Sequence, residues 1–256
     1  MTPMLGDSPN YVGAVDVDET VQFLEEAITA ATAALQPSRR LLDDSRARPI
    51  ATQLAAAFAD AKALYDDSVG ERERIGRDTT TRPQLLHERL GALRAEYQRQ
   101  TDEIERRIHS LVLDLETALR DEALPRSSGP SEILVARQEI EAALRADTKR
   151  DPGQRQGPFS VMIGIAEAGG ELAAAAASGW GESIYIAHGG TSEEHAYVRV
   201  AAAEASLTGS DEGPRRAAEA LGALGLRTRQ GVPEAIAKMN FALIAGGEML
   251  LVSPWS

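Results

Sequence analysis

The chain has 256 residues, enough for one large or two ordinary domains, and its 43% apolar content suffices for a real core. A net charge of −12 argues against a nucleic-acid surface, because phosphate binding wants a basic one. There is no cysteine, which excludes disulfides, thiolate metal sites and cysteine nucleophiles.

The apolar share is heavy in alanine, and aromatics make up only 4%. Alanine favours helices and close helix–helix contact but buries little area per residue, so extended packing is expected. No early basic segment leads into an apolar run, so no secretory signal is read and the cytoplasm is the expected compartment. The apolar stretch from Phe241 to Val252 is short and broken by Gly246, Gly247 and Glu248, so no membrane span is predicted.

Residues 1–15 are polar, with glycine and proline, and read as a flexible N-terminal segment. Asp16 or Asp18 starts a first helix, on which Val17, Val21, Leu24, Ile28, Ala31 and Leu35 repeat at helical spacing, and Pro37 ends it. A second helix starts near Arg48-Pro49, with Ile50, Leu54, Ala57, Ala61, Leu64 and Tyr65 as its stripe. Gly70 and Gly76 favour an interruption before Asp78, each costing roughly 1 kcal/mol in a helix interior.

The clearest signal runs from about Leu85 to Leu119. Thr81 is the expected N-cap, with Pro83 in the first turn. Leu86, Leu90, Leu93, Tyr97, Ile104, Ile108, Leu111 and Leu115 form a coiled-coil-like stripe flanked by Glu and Arg. Thr101 introduces a stutter that locally unwinds any supercoil, so packing within a helical bundle competes with a coiled coil. A fourth helix opens at Ser131-Glu132 and runs through Ala146.

Residues 149–158, with two prolines and two glycines, mark a linker between a helical domain at 16–148 and a smaller domain at 159–256. In the latter, Phe159–Ile165, Ser183–Ala187, Tyr197–Val200 and Met249–Val252 read as strands. Helices are expected at Glu171–Ser178, Pro214–Leu224 and Pro233–Leu243. The expected fold class is therefore α+β in two parts: an N-terminal all-helical bundle and a small C-terminal α/β domain.

No catalytic, cofactor-binding or metal residue emerges. His188-Gly189-Gly190 resembles a hydrolase strand end, but no glycine-x-serine-x-glycine elbow follows it. His188 and His195, seven apart, lack standard ligand spacing, and a charged surface hairpin is the plainer reading. Asp16 and Asp18 read as helix caps rather than a phosphotransfer pair. Gly164, Gly169, Gly170, Gly179 and Gly181 match no phosphate-binding pattern. Trp180 and Trp255, the only tryptophans, are core plugs or interface anchors.

These features point to a non-enzymatic structural or adaptor protein that self-assembles or binds partner proteins through its helices. The interface candidates are the eight stripe residues of the long helix together with Trp180 and Trp255. The competing reading is a small-molecule sensor or small enzyme with its site in residues 159–256. A pocket near Gly164, His188 and His195 would favour that reading, and exposed apolar patches would favour the adaptor.

Overall fold

A computed structural model describes residues 17–251. Ten α-helices follow one another: α1 Val17–Arg39, α2 Ala47–Arg77, α3 Pro83–Glu122, α4 Pro130–Thr148, α5 Pro158–Glu167, α6 Gly170–Ala177, α7 Gly179–Ala187, α8 Ser192–Ala205, α9 Glu212–Ala223 and α10 Val232–Met249. No strand occurs among the described residues, so the expected α/β domain at the C-terminus is wrong. Phe159–Ile165 lies in α5, Ser183–Ala187 in α7 and Tyr197–Val200 in α8. The last expected strand falls on the end of α10, with Val252 outside the described residues. A short apolar run cannot be told from a buried helical segment by periodicity alone. In α5 the buried residues are Met162 and Ala166, four apart, which is helical spacing.

The early helices are also longer than expected. Pro37 sits inside the last turn of α1, where its carbonyl accepts from the Arg40 N–H at 3.0 Å. Helix α2 continues through Gly70 and Gly76. The continuation is supported by Ile75, which is buried in a cluster with Leu86 and Leu90, and by Arg74–Glu71 and Arg77–Glu73 pairs on its surface. Beyond it, Asp78 Oδ1 and Oδ2 accept from the hydroxyls of Thr80 and Thr81, so Thr81 is a donor to Asp78 rather than the expected cap of α3. These bonds hold the Asp78 carboxyl well below the usual carboxylate range.

The described residues fall into two compact units, and α1, α2 and α3 each contribute to both. The first comprises residues 17–31, 56–108 and 233–251. Leu24, Ala27, Phe58, Ala61, Tyr65, Tyr97, Met239 and Leu243 are buried there. Tyr97 donates its hydroxyl to the Leu243 carbonyl at 3.0 Å, tying α3 to α10, and burial pushes that hydroxyl above its ordinary pKa. Gly246 faces the same two tyrosines. A Cβ there would lie 2.6 Å from the Tyr97 hydroxyl and 2.9 Å from the Tyr65 ring, so only glycine lets α10 come this close.

The second unit comprises residues 32–55 and 109–232. Its start is held by Glu122, at the end of α3. The Glu122 carboxylate accepts the Arg46 N–H at 2.7 Å and the Ser45 hydroxyl at 2.7 Å, so both stand at the N-terminus of α2, where negative charge is favoured. Helix α5 packs on α6 and α8, and α6 packs on α4. Ile140, Leu144, Met162, Tyr185 and Val198 close over the alanines of α6 and α8. Asp147, buried at the end of α4, accepts the N–H groups of Gln156 and Gly157 at 2.9 and 3.0 Å and fixes the entry into α5. Gly181 lets α7 start directly against α6, since a Cβ there would lie 2.1 Å from the Ala176 carbonyl oxygen.

Gly246→Ala is expected to lower stability by about 1–3 kcal/mol through overpacking against Tyr65 and Tyr97. Gly91→Ala, in α3, has open space at its Cβ and is expected to raise stability by roughly 0.5–1 kcal/mol. Thermal unfolding of the two variants checks both signs.

Candidate protein-binding surface

Most of the long-helix stripe is covered by the chain itself. Leu86, Leu90, Tyr97, Ile108, Leu111 and Leu115 are buried, and Leu93 and Ile104 are half-buried. In the first unit, Leu86 and Leu90 also line a groove of about 540 Å³ together with Pro83, Leu250 and Leu251. Trp180, in the second unit, is half-buried with the Arg137 guanidinium 5.3 Å from its ring centroid. Trp255, Asp16 and the N-terminal segment 1–15 lie outside the described residues.

The expected hairpin around His188 and His195 is the turn between α7 and α8. His188 sits at the C-terminal end of α7. His195 is buried, with Nε2 2.8 Å from the Ala176 carbonyl oxygen, so this nitrogen carries the proton and serves the end of α6. Thr191 and Glu194 form a capping box at the start of α8. Glu194 also accepts the Tyr185 hydroxyl at 2.9 Å. Burial, with Glu194 beside it, pushes the Tyr185 hydroxyl up to about 12, while the bonds from Tyr185 and Thr191 hold Glu194 below the usual carboxylate range. Gly164 is exposed with open space about it. No group of three or more His, Asp or Glu side chains among the described residues is placed to hold a metal.

The surface that the long-helix stripe did not indicate is on α10. From Ala237 to Leu251 the exposed residues are Ala237, Phe241, Ile244, Glu248 and Leu251, spaced four, three, four and three apart. Every other position of that span is buried or half-buried. Phe241 and Ile244 are 53% and 61% exposed and, one turn apart, lie on one face of the helix. Phe23 of α1 extends the patch, its ring centroid 4.9 Å from that of Phe241. Lys238 bridges Glu26 at 2.8 Å and Glu234 at 3.0 Å, and these bonds raise its own pKa. The signal was present in the sequence as a heptad-like register at residues 237–251. The glycines at 246 and 247 disguised it.

A separate concavity occupies the second unit. An open cleft of about 450 Å³ is lined by the end of α3, by α8 and α9, and by the loop at residues 225–228. Val200, Ala203, Leu207, Leu221 and Leu226 supply apolar lining. Its three arginines are each matched by a carboxylate: Arg120 by Glu116, Arg199 by Asp121 at 2.7 Å, and Arg227 by Glu204.

No helix among the described residues is long and apolar enough to cross a membrane. His195→Phe is expected to leave the Ala176 carbonyl without its partner and to cost about 1–3 kcal/mol. Thermal unfolding reads that loss, and added zinc should leave the wild-type transition where it is. Comparison with known protein families, curated proteins and solved structures finds no match to this chain.

Proposed function

We propose that this protein is a non-enzymatic adaptor or assembly component that meets another protein through its helical surface. The observation that carries the reading is the exposed apolar seam of α10, Phe241 and Ile244, with Phe23 beside it. Large apolar side chains at this spacing on one helix face are what a second helix needs for anchoring. A contiguous exposed patch of this kind is a mark of protein contact surfaces. The long-helix stripe belongs to the same proposal where it borders the groove at Leu86 and Leu90.

A photo-reactive residue placed at position 244 tests this in the cells that make the protein. A discrete protein adduct, whether to another protein or to a second copy, is the expected result. Absence of any protein adduct from 244, while the same residue at 241 also yields none, overturns the reading.

A second reading rests on the concavity between α8 and α9. Its volume and apolar lining suit a small molecule, and its paired arginines suit one without net charge. None of Gly164, His188 and His195 lines it, although Ala196, next to His195 on α8, does. A thermal-shift screen of neutral apolar compounds should find stabilising ligands, with Ala203→Phe, which fills the space, losing the effect.

A further inference from the structure

The seam on α10 does not stand on neutral ground. The first-unit part of α1, residues 17–31, and α10 together carry six carboxylates and one base, Lys238. Lys238 is already committed to Glu26 and Glu234. Glu248 lies within the seam itself, one turn beyond Ile244. Glu19 is one turn before Phe23 and is exposed on the same side of α1. The patch is thus apolar along its centre and acidic along α1 and α10, with Arg94 of α3 beside it only at the Leu251 end, on a chain whose net charge is −12.

This charge pattern bears on what covers the patch. A second copy laid on the seam would bring its own acidic α1 and Glu248 to the same place, so like charges would meet across the contact, which disfavours that pairing. A helix with apolar residues at i, i+3 or i+4 and i+7 and with lysine or arginine on its flanks meets every feature at once. Its apolar face covers Phe23, Phe241 and Ile244, and its bases meet Glu19, Glu248 and the Glu26–Lys238–Glu234 cluster.

We infer that the occupant of the α1–α10 face is a basic amphipathic helix of a partner protein. This rests on the adaptor reading and adds the chemistry of the partner. The test uses the full chain and three labelled synthetic peptides followed by fluorescence anisotropy. One places leucines at helical spacing with lysines on the flanks. A second has the same composition scrambled, and a third has glutamates for the lysines. The first should bind, weaken as salt rises, and bind well above the scrambled peptide, while the glutamate peptide should not bind. Ile244→Asn should weaken the first peptide by about tenfold, as loss of a central apolar anchor does. Glu19→Gln with Glu248→Gln should weaken it less and flatten its salt dependence.

Equal binding of the scrambled peptide, or indifference to Ile244→Asn in a variant with unchanged helicity, overturns the inference. Light scattering separates the two levels. A dimer of the chain alone that Ile244→Asn abolishes would make the occupant a second copy, overturning the basic helix while leaving the adaptor reading intact. Absence of peptide binding and of self-association removes the basic helix, while the adaptor reading falls only if positions 244 and 241 also give no protein adduct.

Discussion

Alanine brings little apolar area to a core, so helices built on it must approach closely to exclude water, and this requirement runs through both units. In the first, the large contributions come from Phe58, Tyr65 and Tyr97, and Gly246 lets α10 lie directly on the tyrosines. In the second, the alanines of α6 and α8 are covered by Met162, Tyr185 and Val198, and Gly181 brings the start of α7 against the α6 carbonyls. Where a core has few large side chains, each close approach counts for more, because voids forfeit dispersion contacts outright. At these two positions glycine is a packing device inside a helix.

Carboxylates do the complementary work at helix ends. Glu122 sits at the start of α2, Asp147 at the entry to α5, Glu194 at the start of α8 and Asp78 in the turn before α3. Each accepts N–H groups that the helix or turn geometry leaves without a partner. Part of the chain's acidic excess is therefore structural. The acids beside Phe23 and Ile244 are more exposed: Glu19 lies in the first turn of α1, where the helix dipole favours it, and Glu248 stands at the C-terminal end of α10, where the dipole does not.

The first half of the fold was legible because its helices are long. Three or four turns of leucine at regular spacing allow no other reading, and the stripe from Leu86 to Leu115 is the buried side of α3. In the second half the helix expected at Glu171–Ser178 is α6, but two of the segments read as strands lie in α5 and α7, which are only 10 and 9 residues long. Over such lengths Val-Met-Ile-Gly-Ile and Ser-Ile-Tyr-Ile satisfy strand and helix patterns alike. Local signals pointed the right way: Pro158 at a first helical position, and Thr191 with Glu194 three residues later. The exposed seam of α10 was harder to see: its register is in the sequence, but α10 is apolar on most faces, and which of them stays uncovered depends on what the rest of the chain covers.

The order in which the chain is made follows from where α10 belongs. The first unit takes residues from both ends of the described chain, whereas the second lies wholly within it. During synthesis every residue of the second unit exists before α10 emerges, and until then Tyr97 has no Leu243 carbonyl to meet and Glu26 has no Lys238. A chain cut short before Val232 would therefore leave Tyr65 and Tyr97 without the helix that packs on them, a sticky intermediate that the last eighteen residues of helix are needed to close.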